Sequence, residues 1–215
     1  MNVMVWDLPT RLFHWTLVVL FVAMWYTGKQ GMLNLHILCG EAIAILLVFR
    51  ILWGIIGSQT ARFGDFVRGP SAVCRYVRGK MSEAEQPGHN PLGALMVVAL
   101  LLALLVQVGT GLFSADIDSF VYDGPFAYLI GDKAQTVTTV HKQLFNGILV
   151  LVALHIMAII IYAVFKKQNL VRAMLTGRKP IEDTVRPLYF APMRYAVLCV
   201  CAASLFVVSI LYFFK

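Results

Sequence analysis

The chain has 215 residues, 60% hydrophobic and 13% charged, with a net charge of +7 and a mean hydropathy of +0.77. That balance excludes a soluble globular domain and points to a membrane protein. No alternating ten-residue strand pattern of a spanning β-barrel is present, so a chain that must satisfy its own backbone polar groups in lipid reads as an all-α helical bundle.

Five apolar stretches match the ~20 residues that a bilayer core requires. The first and shortest, roughly Leu12–Thr27, follows Asp7-Leu8-Pro9-Thr10, a helix entrance with Pro9 or Thr10 near the first turn. Asp7 precedes the run and no small-residue cleavage site follows "MWYTGKQG", so this is read as a helix and not a signal peptide. The second, His36–Gly57, carries Glu41, Arg50 and Trp53. The third, Pro91–Phe113, starts after Asn90 as N-cap with Pro91 as its first residue. The fourth, Val137–Phe165, contains His141 and His155, and the fifth, Tyr189–Phe214, has no histidine. Together they read as a single membrane domain, 1–215.

The charges sort by loop. In 58–90, Arg62, Arg68, Arg75, Arg78 and Lys80 face Asp65, Glu83 and Glu85; in 166–187, Lys166, Lys167, Arg172, Arg178, Lys179 and Arg186 face Glu182 and Asp183. Loop 114–136 instead carries Asp116, Asp118, Asp123 and Asp132 against Lys133. The positive-inside rule then puts the first two loops and the N-terminus in the cytoplasm, and loop 114–136 and Lys215 outside. The basic balance is thereby a matter of topology and not of a nucleic-acid partner. Cys39, Cys74, Cys199 and Cys201 form no C-x-x-C or C-x-x-C-H pattern; they read as small apolar fillers, with no disulfide expected.

Four histidines carry the functional signal. His14 begins span 1 on the inner side and His36 begins span 2 on the outer side, while span 4 enters from outside with His141 and carries His155 fourteen residues on. Fourteen helical residues rise ~21 Å and turn ~1400°, about 40° short of four turns, so the two rings of span 4 share a face at opposite depths. Hairpin order pairs His14 with His155 and His36 with His141, whichever way the chain is oriented. Two such pairs suit two non-covalent b-type haems with bis-imidazole ligation, making the four histidines candidate ligands of haem iron. Zinc competes, but a closed zinc site usually takes four ligands and neither layer supplies them. Plain hydrogen bonding of each histidine to a neighbouring helix is the structural alternative.

Arg50 lies fourteen residues after His36, on the same helix face but at the inner layer, and Arg11 lies one turn before His14. A buried arginine needs an anion, so both are candidate partners of the inner haem's propionates; for Arg11, interfacial snorkelling is the alternative. Gly40 and Gly147 leave room for a flat macrocycle or for close helix packing. His89, in "PGHNPLGALM", has no partner in either layer and stays outside the ligand set. Glu41 is a candidate proton relay near the outer haem, or simply a carboxylate bonded to a neighbour. Trp15 and Trp53 line a quinone site or anchor the membrane interface.

The stretches "VWDLPTRLFHW" (5–15), "HILCGEAIAILLVFRILWGIIGSQTARFGDF" (36–66), "GHNPLGALMVVALLL" (88–102), "TGLF" (110–113) and "VHKQLFNGILVLVALHIMAIIIY" (140–162) resemble the bacterial cytochrome b561 family and the related b-type cytochrome subunits of nickel-iron hydrogenases. The resemblance covers most of 5–180. It implies a four-helix bundle ligating two b haems, with axial roles for His14, His36, His141 and His155, and electron transfer between a quinone pool and a redox partner, a periplasmic cytochrome c or a hydrogenase-like protein. Compact members of the family end after four spans, whereas 189–214 adds a fifth here, and Glu41 stands where an aromatic is expected.

The expectation is therefore an integral protein of the bacterial inner membrane. A four-helix dihaem core over 5–180 and an extra helix at 189–214 would pass electrons between quinone or quinol and its partner. No acid–base pair or nucleophile has catalytic spacing, and in such proteins the cofactor carries the chemistry. The acidic loop 114–136 is a candidate dock for a basic partner, or an ordinary outer loop. A self-contained superoxide:quinone oxidoreductase, a non-redox membrane anchor and a metal transporter are the rival functions.

Overall fold

A computed structural model describes residues 2–82, 85–115, 124–181 and 186–213. In chain order these form β1 (Asn2–Met4), α1 (Leu8–Lys29), α2 (Leu33–Ile56), α3 (Phe63–Phe66), α4 (Pro70–Val77), α5 (Pro91–Leu112), α6 (Lys133–Phe165), α7 (Leu170–Thr176), β2 (Arg178–Pro180) and α8 (Met193–Phe213). Five of them, α1, α2, α5, α6 and α8, are long and apolar enough to cross a membrane. The chain is thus an all-α, multi-pass membrane protein, as composition requires. Glu83, Asp116, Asp118, Asp123, Glu182, Asp183 and Lys215 lie outside the described residues, and with them most of the acidic loop's charge.

The chain divides into two compact units. The first comprises Met1–His14, Arg50–Ala99 and Val152–Cys199; the second comprises Trp15–Phe49, Leu100–Leu151 and Val200–Lys215. His14, Arg50 and His155 belong to the first, and His36 and His141 to the second.

The first unit is organised around the chain's N-terminal segment. β1 pairs antiparallel with β2, in register Asn2↔Pro180, Val3↔Lys179 and Met4↔Arg178. The ladder continues as the Val5 and Trp6 N–H groups both donate to Gly177 O, at 2.8 and 3.1 Å. Val5, Trp6, Ala173 and Ile181 then bury one another in an apolar cluster. Thr60 Oγ1 donates to Val5 O at 2.6 Å, which ties the segment after α2 to the same place.

Asp7 supplies the helix entrance expected from sequence. One carboxylate oxygen accepts the Thr10 N–H at 2.8 Å, capping α1, which starts at Leu8, four residues before its apolar run. The other accepts the Trp53 Nε1–H at 3.0 Å. Trp53 is fully buried. It is therefore neither an interfacial anchor nor a wall of an open cleft, since burial of its indole N–H requires the acceptor that Asp7 provides. Trp15 is half-buried on α1.

Two other helix ends differ from hydropathy alone. Tyr189–Ala191 stays extended because its backbone is committed elsewhere: Gln59 N donates to Tyr189 O at 3.0 Å, and Ala191 N to Ser58 Oγ at 3.0 Å. Pro192 follows, and α8 begins only at Met193. In the second unit α6 starts at Lys133, a turn ahead of its apolar run, because Ala134 packs against Ala115 and Ala127. Thr138 Oγ1 accepts the Ala115 N–H at 2.9 Å and fixes that turn. At α5 the sequence expectation stands: Asn90 Oδ1 accepts the Gly93 N–H at 2.8 Å and Pro91 is the first helical residue.

Replacing Asp7 by alanine removes a cap and orphans a buried indole N–H. Thermal unfolding of the purified protein should show a loss of about 2–3 kcal/mol. Asp7→Asn, with one carbonyl oxygen for two donors, should lose about half as much.

Candidate functional site

The second unit places His36 of α2 opposite His141 of α6. Their ring centres are 6.4 Å apart and their planes 83° to one another. His36 Nδ1 lies 3.2 Å from Met24 O and 3.2 Å from Thr27 Oγ1, and the Thr27 hydroxyl itself reaches Ala23 O at 2.7 Å. His141 Nδ1 lies 3.0 Å from Gln107 O and 3.1 Å from Thr110 Oγ1. In each ring a backbone carbonyl therefore takes the Nδ1–H and leaves Nε2 as the lone-pair nitrogen. At His141 that lone pair accepts from Gln107 Nε2 at 3.2 Å.

Small residues bring both rings close to a neighbouring helix. A Cβ on Gly28 would lie 3.2 Å from His36 Cε1, and one on Gly111 would lie 3.1 Å from His141 Cε1. Gly147, six residues after His141, faces open space, whereas a Cβ on Gly40 would meet only Met24 Cε at 3.6 Å. Glu41 is half-buried.

In the first unit His14 of α1 and His155 of α6 are both half-buried and close enough to interact electrostatically. Arg50 is 3% exposed, with its guanidinium over the rings of Phe63 (4.7 Å to the centroid) and Phe66 (5.8 Å). It lies within electrostatic reach of Asp7. Among the described residues, however, ion pairs form at Arg62–Asp65 and Arg75–Glu85, not at Arg50. Its Nη1 is buried with no hydrogen-bond acceptor. Arg11 is placed otherwise: Nη2 donates to Leu175 O near the end of α7, while Nε is buried without an acceptor. That contact makes Arg11 a tie between α1 and α7, in place of a freely snorkelling side chain.

These residues fit b-type haem. A metal–imidazole bond of about 2 Å, plus about 1.1 Å from nitrogen to ring centre, on each side would separate two ligating rings by about 6.2 Å. The His36–His141 pair, at 6.4 Å, comes within a few tenths of an ångström of that separation. Donation of the far ring N–H to a carbonyl is how a metal-bound histidine is oriented and made more basic. An interior guanidinium nitrogen with no acceptor is the complement of a carboxylate.

Residues 5–177 match the family described as prokaryotic cytochrome b561. The chain belongs to that family. As a prokaryotic cytochrome b561 it is a membrane protein of haem b and electron transfer. Similar proteins include the probable Ni/Fe-hydrogenase B-type cytochrome subunit of Rhizobium leguminosarum bv. viciae, 25% identical over 85% of this chain and 90% of that one. Those of Bradyrhizobium diazoefficiens and Rhodobacter capsulatus are each 23% identical over 85% of this chain, covering 87% and 83% of theirs. No solved structure matches the chain.

Several residues around this cytochrome b561's histidines were not evident in the sequence. Met24, Thr27, Gln107 and Thr110 orient the His36 and His141 rings, yet in sequence they are ordinary members of apolar runs. Thr27 and Thr110 carry the one usable signal, a hydroxyl in a span, but such a hydroxyl usually bonds its own helix, as both also do. His89, which the sequence leaves outside the ligand set, lies within electrostatic reach of Arg50 and His155.

The glycine contacts are testable. Gly28→Ala and Gly111→Ala force the imidazoles to give by a few tenths of an ångström, and each should shift the low-spin absorption and paramagnetic resonance spectra of the purified cytochrome.

Proposed function

We propose that the protein is a dihaem cytochrome b that carries electrons across the bacterial inner membrane, between the quinone pool and a hydrogenase-like redox partner. The observation that carries the reading is the His36–His141 pair, with its 6.4 Å ring separation and an Nδ1–H bonded to a carbonyl on each side. His14 and His155, both half-buried and within electrostatic reach of one another, would hold the second haem. That His141 falls in one unit and His155 in the other, on one continuous helix, supports a separate site in each.

Haem iron, when bound, supplies a one-electron couple. The chain's own residues supply the rest. Met24 O and Gln107 O hold the two imidazoles in the tautomer that presents Nε2, and Thr27 and Thr110 fix the ring planes. The Gln107 amide keeps His141 Nε2 satisfied until a stronger partner displaces it. Arg50 offers its Nη1 to a propionate, and the rings of Phe63 and Phe66 keep its charge out of water, where it acts more strongly. Arg11 sits one turn from His14 and retains a buried Nε for the same purpose, although its other contact serves α7.

A hydrogenase-like partner is supported by the names of the three relatives, each a probable Ni/Fe-hydrogenase B-type cytochrome subunit. The basic loops 58–90 and 166–187 support a cytoplasmic N-terminus. With five spans the C-terminus is then periplasmic.

Purified protein should contain two non-covalent b haems per chain by pyridine haemochrome. His36→Ala and His141→Ala should each remove one, and His14→Ala and His155→Ala the other. A wild-type chain that folds with haem available and binds none would end this reading; one haem per chain would mean that one pair is misassigned.

A further inference from the structure

His89 precedes α5 and belongs to the first unit. Its ring is held between two aromatics: Trp6, with centres 4.5 Å apart and planes at 63°, and Phe66, at 4.6 Å and 40°. Phe66 carries the Arg50 guanidinium as well, at 5.8 Å. The imidazole and the guanidinium therefore gather about one ring, and each brings a buried nitrogen with no hydrogen-bond partner, His89 Nδ1 and Arg50 Nη1. An unmet polar nitrogen in an interior is a cost that most folds avoid; with the imidazole proton on Nδ1, the two around one ring describe a seat whose occupant accepts from both.

The surroundings show that the seat is built. A Cβ on Gly54, one turn after Arg50, would overlap the Phe63 ring, so the glycine lets that ring lie on α2 beneath the guanidinium. A Cβ on Gly88 would come 3.1 Å from Thr60 Cβ and 3.5 Å from Trp6 Cη2, so a small residue is needed to bring His89 up to Trp6. Trp6 in turn is held by the β1–β2 ladder and its bond to Gly177. Burial, and then the charges of Arg50 and His155, push the His89 imidazole down to a pKa of about 3. At neutral pH it contributes an N–H and no second charge. One guanidinium and one neutral donor match a singly charged carboxylate better than a phosphate dianion.

We propose that His89 and Arg50 form a two-donor carboxylate seat, and that it takes one propionate of the haem ligated by His14 and His155. The assignment rests on the dihaem reading above. It makes His89 a binding residue for the cofactor's side chain, distinct from the axial set.

The test uses the full holoprotein. His89→Phe keeps a ring between Trp6 and Phe66 and removes the donor. Both haems should stay, but one should dissociate about tenfold faster, on the scale of one lost charge-assisted hydrogen bond. Its midpoint potential should fall, because reduction then adds an electron beside a less neutralised carboxylate. Arg50→Gln should lower the same potential further, and His89→Gln, which restores an N–H, should recover most of the loss. The affected haem is identified as the one whose signal disappears in His155→Ala.

Unchanged potentials and haem loss in His89→Phe, or a change in the other haem, would overturn the proposal and leave the dihaem reading standing. A wild-type chain without haem would overturn both. Acetate that shifts the wild-type potential would show the seat open to a free carboxylate, against the propionate. One measurement needs no variant: with 13C-labelled haem propionates and 15N-labelled histidine, solid-state NMR should show dipolar coupling to His89 Nδ1, and its absence overturns the assignment.

Discussion

A nitrogen or oxygen carried into the hydrocarbon layer has no water to meet it, and the polar architecture of this chain follows from that constraint. At His36 and His141 the constraint is met from neighbouring backbone: Met24 O and Gln107 O are carbonyls already engaged in helices, and each uses its second lone pair on an imidazole. At Asp7 it is met by division of labour, one oxygen to a helix end and the other to an indole. Tyr162 shows the same economy, with its hydroxyl bonded both to Tyr76 and to the Asn90 amide. Against this background Arg50 Nη1 and His89 Nδ1, buried and without a hydrogen-bond partner about one aromatic ring, are the pair on which the carboxylate seat is proposed.

The two units solve different problems with the same helices. In the second unit, the polar contacts of the histidine pair come from within the spans, from Met24, Thr27, Gln107 and Thr110. In the first unit the contacts around Arg50 and His89 come largely from outside them: Trp6 beside β1, the segment around Thr60, and α3 with Phe63 and Phe66.

Hydropathy and length made the five spans legible, and the hairpin order of four histidines made their pairing legible, because both are properties of helices that local sequence determines. Less legible was whatever depended on where a loop returns. Trp53 has the composition of an interfacial anchor, and only the return of Asp7 to its indole makes it a core residue. His89 is separated in sequence from the histidine pair by loop and helix, and three-residue strands such as β1 and β2 have too few positions to display a period. Helix ends shifted for a related reason: Tyr189 heads the last apolar stretch, but its backbone is claimed by Gln59. The oriented imidazoles lay between these cases, with the rings predictable and their carbonyl partners not.

The β1–β2 ladder joins residues that leave the ribosome at nearly opposite ends of synthesis. Asn2 must wait for Pro180, by which time four of the five spans have been made. Until then Val5 and Trp6 have neither Gly177 nor Ile181 to cover them. The contacts that His36 and His141 make with one another and with Met24, Thr27, Gln107 and Thr110 involve nothing synthesised after His141 itself. The strand pairing of the first unit therefore closes late in synthesis, after every residue that contacts His36 and His141 has been made.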